Sequence, residues 1–428
     1  KLETIQDVKI RHVAALSKGL ALLDANEKGA VNYLVKVAKA DPQELKNTEI
    51  SQFISSRIFR IIKKESELAQ SSGYQNENLK DEDLFQPVQE AYDLWLKGSF
   101  FEKATRELYA ELVKTRFSEL FEKQKWSRAF ETIDQWKESG LWPEKNKLPI
   151  YSHSIGVKLT QKLMDIESEE KMTLFQSLIE NEDTMSEFLE ADFSPLFVSA
   201  YHHSNNQTEL VAWLKKMKPN RRLAQSSLGV TQEMKDFLVF VQAEALMSVK
   251  RFSESEPLLK QITSKRYREM AIPMQVENYC GQKQFSQAVK FGLPQVQKLN
   301  TLPSKKRVLA SLVSAINEGK LWKQSDLVLQ QARKQGIKNK ELAPFLYLAG
   351  KSQSEQKVCK KTIAYYSEAL TLDSDHLAAQ EAKFRLGKCY QKEKKKELAK
   401  KQWQAVVDSQ DAFWAPLAKS EINLMEGP

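Results

Sequence analysis

The residues of this 428-residue chain whose types could do chemistry are five histidines, three cysteines and four Glu-Ser pairs. His12, His153, His202, His203 and His376 are scattered. A metal would need histidines, cysteines or carboxylates at ligand spacing, and the adjacent pair His202-His203 has no such partner four residues on. No Gly-rich phosphate loop, GxSxG or HExxH occurs, and no nucleophile, base and orienting group can be assembled from neighbouring residues. Glu65-Ser66, Glu138-Ser139, Glu167-Ser168 and Glu254-Ser255 each offer a carboxyl that could act as a general acid, yet each falls in a helical pattern. Cys280, Cys359 and Cys389 form no CxxC, and an odd count excludes a fully paired intramolecular set. Each lies in a helical pattern, so buried thiols are expected. The expectation is a chain with no catalytic site, no metal and no cofactor.

Charge and composition bound the remaining classes. Apolar residues make up 41% and charged residues 28%, with 14 Gly and 13 Pro, which favours helix over an all-β fold. No apolar run is long enough to span a bilayer. The formal charge of +9 is unevenly placed. Residues 165–192 hold ten acids and the single base Lys171, whereas residues 301–340 and 381–401 are strongly basic. A solvated helix surface accounts for such runs. The basic stretches lack interleaved exposed aromatics and match no nucleic-acid-reading module, so no nucleic acid is expected as a partner. The chain begins with Lys1 and shows no secretory apolar segment, which fits a removed leader or a trimmed chain.

The elements that would position any site are helices throughout. Ile5, Val8, Val13, Leu16, Leu20 and Leu23, then Val31, Leu34 and Val35, recur at helical spacing, and Ile50, Phe53, Ile54, Ile58, Ile61 and Ile62 share one face of a third helix. The polar run 71–83 reads as a loop. Beyond it, Phe101 with Ala104 and Trp126 with Ala129 place an aromatic residue just before Ala three residues on. Only one long helix fits between Phe101 and Trp126. Helices continue to residue 218, and the polar, basic run 219–229 is a boundary. The expected division is 1–78, 84–218 and 231–428.

From residue 231 a unit recurs. Its clearest copy is in residues 377–407, where Leu386-Gly387, Tyr390, Ala399 and Trp403 stand at fixed offsets. Gly387 lets a second helix approach closely, Tyr390 lies one turn on, and Trp403 fills the space behind Ala399. The run 392–396 is the turn between the two helices. Earlier copies carry Ala243, Leu246, Phe252, Ser255, Leu259 and Ile262; then Val276, Tyr279, Phe285 and Ala288; then Val313, Ile316, Trp322, Ser325 and Leu329; then Gly350, Tyr366, Ala369 and Leu370. Residues 412–424 read as a capping helix in which Phe413, Trp414, Leu417 and Ile422 cover the end of the stack.

These residues resemble the tetratricopeptide repeat family, whose pattern is L-G-x2-Y followed by A-x3-F. The resemblance covers the C-terminal half, with looser helical repeats over residues 84–133. It implies an all-α, right-handed superhelical solenoid of stacked helical hairpins with a concave binding face, and no activity. In that family the first helix of each hairpin lines the concave face. Helical spacing then sets Arg307, Tyr347, Lys351, Phe384, Lys388 and Lys392 toward the groove. The Lys/Asn clamp of the variants that hold chaperone tails is absent, since Tyr347, Lys351, Phe384 and Lys388 occupy the matching positions. Soluble lytic transglycosylases also carry a helical superhelix, before a catalytic domain with a Glu-Ser acid and a G-L-M-Q type motif. None of the Glu-Ser pairs here is followed by that motif, so the resemblance stops at the superhelix. The expected function is a non-enzymatic protein-binding scaffold whose partner presents an acidic segment; the alternative is the accessory part of a bacterial cell-wall system of that kind. Self-association through the acidic run 165–192 competes with such a partner. The bacterial periplasm or export is preferred as location, with the cytoplasm as alternative.

Overall fold

The computed structural model describes residues 8–25, 30–40, 55–57, 59–60, 63, 89–97, 101–142, 148–189, 191–216 and 230–426. Of these, 83% are helical and none is in a strand. The third N-terminal helix and the loop 71–83 expected from the sequence lie almost wholly outside the described residues, as does the run 219–229. The chain divides into two compact units, Lys1–Trp213 with Ala224–Gly229, and Leu214–Leu223 with Val230–Pro428.

In the first unit, α1 (Val8–Asp24) and α2 (Ala30–Ala40) pair. Next comes the hairpin of α3 (Glu102–Glu122) and α4 (Trp126–Glu138). The long α3 is the single helix expected between Phe101 and Trp126. Phe117, Phe121, Phe130 and Trp126 fill the hairpin, with Phe121 and Trp126 edge to face at 4.8 Å. The unit continues through α5 (Leu148–Asp165), α6 (Ser168–Glu180), α7 (Glu182–Phe188), α8 (Pro195–His203) and α9 (Gln207–Lys216), of which the part up to Trp213 belongs to it. Most described carboxylates of the acidic run stay exposed, and Glu182 is a half-buried exception. Glu182 accepts hydrogen bonds from Tyr201 Oη and from Trp213 Nε1 at 2.9 Å, and Glu187 pairs with Lys137.

The second unit is a stack of five hairpins and a final helix: α10 (Gln232–Ser248) with α11 (Phe252–Gln261), α12 (Lys265–Gly281) with α13 (Phe285–Gln295), α14 (Leu302–Glu318) with α15 (Ser325–Lys334), α16 (Ala343–Glu355) with α17 (Cys359–Leu372), α18 (Ala379–Lys392) with α19 (Lys396–Asp408), then α20 (Trp414–Glu426). Every hairpin turns in the same way. The first helix ends on a left-handed residue, Lys250, Lys283, Lys320, Lys357 or Lys394, with φ between 52° and 62°. The next N–H then bonds back across the last turn, as in Arg251 N to Leu246 O (2.8 Å), Gln284 N to Tyr279 O (2.8 Å) and Lys395 N to Tyr390 O (2.9 Å). This closure satisfies helix-end carbonyls that would otherwise be orphaned. Gln124 makes the same turn between α3 and α4.

Small residues on the first helices set the packing. A Cβ on Gly387 would stand 2.2 Å from Trp403 Nε1, and one on Gly350 would stand 2.5 Å from the ring of Tyr366. Trp403, Ala399, Tyr366 and Ala369 are buried, as the repeat pattern requires. A seam joins each hairpin to the next. The Phe252 ring occupies the space over Gly281, and Phe285 that over Gly319. Ser352 Oγ donates to Trp322 O at 2.7 Å. At the fourth seam the contact is covalent: Cys359 and Cys389, with Cα atoms 5.1 Å apart, form a disulfide. The expectation of three buried thiols is corrected for these two, because the first residue of one second helix faces the following first helix. Cys280 is the free thiol, half-buried and pushed up to about 11 by that burial.

Candidate partner-binding surface

The first helices of the C-terminal unit run parallel, and one-repeat offsets bring their side chains together. Arg307 on α14 forms a two-pronged ion pair with Glu277 on α12, at 2.6 and 2.7 Å. That hydrogen bonding outweighs burial and raises the guanidinium pKa above its ordinary value. Lys351 on α16 lies 3.4 Å from Glu381 on α18 and 6.0 Å from the centre of the Trp322 ring. Arg385 bridges Glu381 and Glu355, each at 2.8 Å. Lys388 on α18 pairs with Glu421 on α20. Lys392, one turn further, is exposed on the last turn of α18 and makes no ion pair among the described residues. The cations expected in a groove therefore alternate with carboxylates from neighbouring repeats.

The two aromatic residues differ in placement. Tyr347 is only 3% exposed. Its hydroxyl donates to Asp373 O at 2.6 Å, its ring stacks on His376 at 4.5 Å, and burial pushes its phenol up to about 12. It therefore belongs to the core of the stack, and its expected place on a contact surface is corrected. Phe384 is half-buried, 5.3 Å from the ring of Trp414, and its carbonyl accepts from Trp403 Nε1. The capping helix is corrected in one respect. Ala418 and Ile422 are buried, but Phe413 and Leu417 are exposed, as is Leu424. Leu417 and Leu424 share a face of α20, with Phe413 just before it. The Lys388–Glu421 pair ties α18, which ends at Lys392, to α20.

Sequence reading missed both halves of this surface. The acidic partners Glu277, Glu381 and Glu421 stand 30 to 33 residues from the cations they pair with, and that one-repeat offset is a signal that was present. The exposed leucines follow only from knowing which face of α20 the preceding hairpin covers.

Of the described Glu-Ser glutamates, Glu138 ends α4, Glu167 caps α6 and Glu254 lies in the first turn of α11. Ser139 is buried with its Oγ donating to Trp136 O at 2.7 Å. Glu254 is held below the ordinary carboxylate range by hydrogen bonds from Arg251, the opposite of what a general acid needs. Glu167 precedes the first turn of α6, and Glu65-Ser66 lies outside the described residues. His202 and His203 end α8, with His203 Nδ1 2.8 Å from Ser199 O. Among the described residues no three His, Cys, Asp or Glu side chains converge on a metal-sized space, and no helix is long and apolar enough to cross a membrane.

The hairpins, with glycine under an aromatic ring and a repeated left-handed turn, are tetratricopeptide-like. No family model matches the chain, and no curated protein matches it in sequence. Among solved structures, the Cut9–Hcn1 hetero-tetramer of the APC/C is 11% identical, over 98% of this chain and 78% of that one, with a TM-score of 0.32. The TPR domain of P58(IPK) is 12% identical, over 84% of this chain and 95% of that one, with a TM-score of 0.24.

Proposed function

We propose that this chain is a non-enzymatic scaffold that holds a segment of another protein along the first-helix face of its C-terminal unit. The observation that supports the reading is the Lys388–Glu421 pair, which ties the helix bearing the open cation Lys392 to the helix bearing the exposed Leu417 and Leu424. Exposed cations on such a face steer an acidic segment and fix its register. The apolar side chains supply the affinity that screened charge does not. Phe384, half-exposed between Lys388 and Trp414, belongs to the same contact. An acidic partner must compete with Glu277, Glu381 and Glu421 for their cations, so Lys392 is the first charge it engages.

A photo-crosslinking residue placed at Lys392 or Leu424 in cells, and another at Lys334 on the second-helix side, tests this. Adducts with one partner at the first two positions and none at Lys334 are expected. Adducts at Lys334 alone would move the binding surface to the other side of the stack and end this reading.

A further inference from the structure

The hairpin turns of the C-terminal unit carry a pattern that the first-helix face does not use. Their left-handed residue is lysine in all five, Lys250, Lys283, Lys320, Lys357 and Lys394. Glycine or asparagine is what this geometry favours, so backbone conformation does not explain the choice. All five are exposed and make no ion pair among the described residues. More cations flank them. Lys360 and Lys361 sit in the first turn of α17 and Lys396 opens α19, where the positive end of the helix dipole disfavours cations. Two local preferences are thus overridden at one edge, which marks function more often than folding.

The turns are also neighbours in space. The seam contacts Phe252–Gly281, Phe285–Gly319, Trp322–Ser352 and Cys359–Cys389 fall within a few residues of each left-handed lysine and tie consecutive turns together. The lysines therefore form one basic edge along the ends of the hairpins. Some carboxylates stand among them: Asp326 pairs with Lys361, Glu393 with Lys395 and Glu254 with Arg251. Between the cations, Val358 and Leu398 are exposed to solvent.

We propose that this edge docks on the anionic headgroups of a phospholipid bilayer. The lysine stems reach outward and place their ammonium groups at the phosphates, while Val358 and Leu398 enter the interfacial layer. A nucleic acid is disfavoured because the aromatics of this edge are engaged, Phe252 and Phe285 lying over glycines rather than offered as stacking platforms. The Cys359–Cys389 bond crosses the same edge, and disulfides persist in oxidising compartments, where nucleic acid is not the usual polyanion. The edge lies at the helix ends and adjoins the first-helix face at Lys392, which the variants below leave in place, so the proposal does not depend on the scaffold reading.

The test is co-sedimentation of the full chain with vesicles of phosphatidylcholine alone, and with a third of the lipid replaced by phosphatidylglycerol. Binding to the anionic vesicles only, weakening with salt, is expected. The combined variant Lys357→Glu, Lys360→Glu, Lys394→Glu and Lys396→Glu should lose at least about tenfold in vesicle affinity. A control variant, Lys265→Glu, Lys298→Glu, Lys334→Glu and Lys338→Glu, carries the same net charge but alters other exposed lysines, and should retain most of the binding. Val358→Ser with Leu398→Ser leaves the charge unchanged and should reduce the binding that survives high salt, which keeps the proposal testable if a charge-reversed chain misfolds. Equal binding to both vesicle types, or equal loss in the two charge variants, overturns the proposal. So does soluble polyglutamate bound as tightly as anionic vesicles and lost in the first variant, which would make the edge a site for acidic polypeptide.

Discussion

Gly387→Ala probes the last hairpin most directly. A methyl group there would stand 2.2 Å from Trp403 Nε1, 2.5 Å from Cε2 and 2.6 Å from Cδ1, far inside contact distance. Trp403 cannot yield cheaply, because it is fully buried and packed with Ala399, Val406 and Ala418. Its Nε1 donates to Phe384 O at 3.0 Å. Overpacking costs about 1–3 kcal/mol and a lost hydrogen bond about 0.5–1.5 kcal/mol. Alanine returns roughly 1 kcal/mol of helix propensity over glycine. The net expectation is a loss of about 2 kcal/mol, and a larger loss for Gly387→Val, whose branched side chain meets the same ring. Stacked repeats need not unfold as one unit, so the assay is hydrogen exchange resolved along the chain. Amides of α18 and α19 should exchange roughly thirtyfold faster, at tenfold per 1.4 kcal/mol, with those of α10 and α11 unchanged. In a cycle with Trp403→Phe the two losses should fall short of additive by at least about 0.5 kcal/mol. Unaltered exchange in α18 and α19, or strictly additive losses, would refute the packing of glycine against tryptophan.

Other expectations follow from single contacts. Cys359→Ser with Cys389→Ser opens a loop of 30 residues, which should destabilise the last hairpins by roughly 3–4 kcal/mol on the chain-entropy estimate; three thiols titrating in denaturant without reductant would show that the bond is not made. Lys394→Gly should stabilise the same region by about 1 kcal/mol, because glycine adopts the left-handed conformation without strain, and a lower denaturation midpoint would contradict it. Burial pushes the Glu269 carboxyl up, but hydrogen bonds from the Thr301 and Asn300 backbone and side chains outweigh it and hold the pKa below its ordinary value. Its contribution is therefore present above the ordinary value of 4.5 and lost as pH falls through the depressed value; Glu269→Gln should flatten that acid-side loss in a pH series of denaturation curves. Purified protein should release no muropeptides from peptidoglycan, and turnover that vanishes on mutating one Glu-Ser glutamate would revive the cell-wall alternative.

The hairpin at the C-terminal end was readable because its contacts are local. Gly387, Tyr390, Ala399 and Trp403 lie within one repeat, and helical spacing alone brings glycine under tryptophan. Helix content was readable for the same reason, since periodicity is a property of each helix by itself. Contacts that cross repeats were less so. Nothing in the residues around Cys359 points to Cys389 unless the seam position is known, and that position is filled elsewhere by Phe252 over Gly281, Phe285 over Gly319 and Trp322 against Ser352. The chemical types differ so much that the equivalence appears only in space.

The candidate groove shows the same limit with charge in place of packing. Reading Arg307, Lys351 and Lys388 from first-helix spacing placed them on the intended helices but left out what faces them. A stack of parallel helices sets each side chain against one about a repeat away, so a cation is judged by the residue 30 to 33 positions off rather than by its own surroundings. There stand Glu277, Glu381 and Glu421. Pairs at such exposure contribute little stability each, but each one couples a repeat to the next. A partner that draws Lys388 from Glu421 therefore acts on the junction between α18 and α20. That is the junction where Lys392, Leu417 and Leu424 lie open, and binding there would be felt first by the end of the stack.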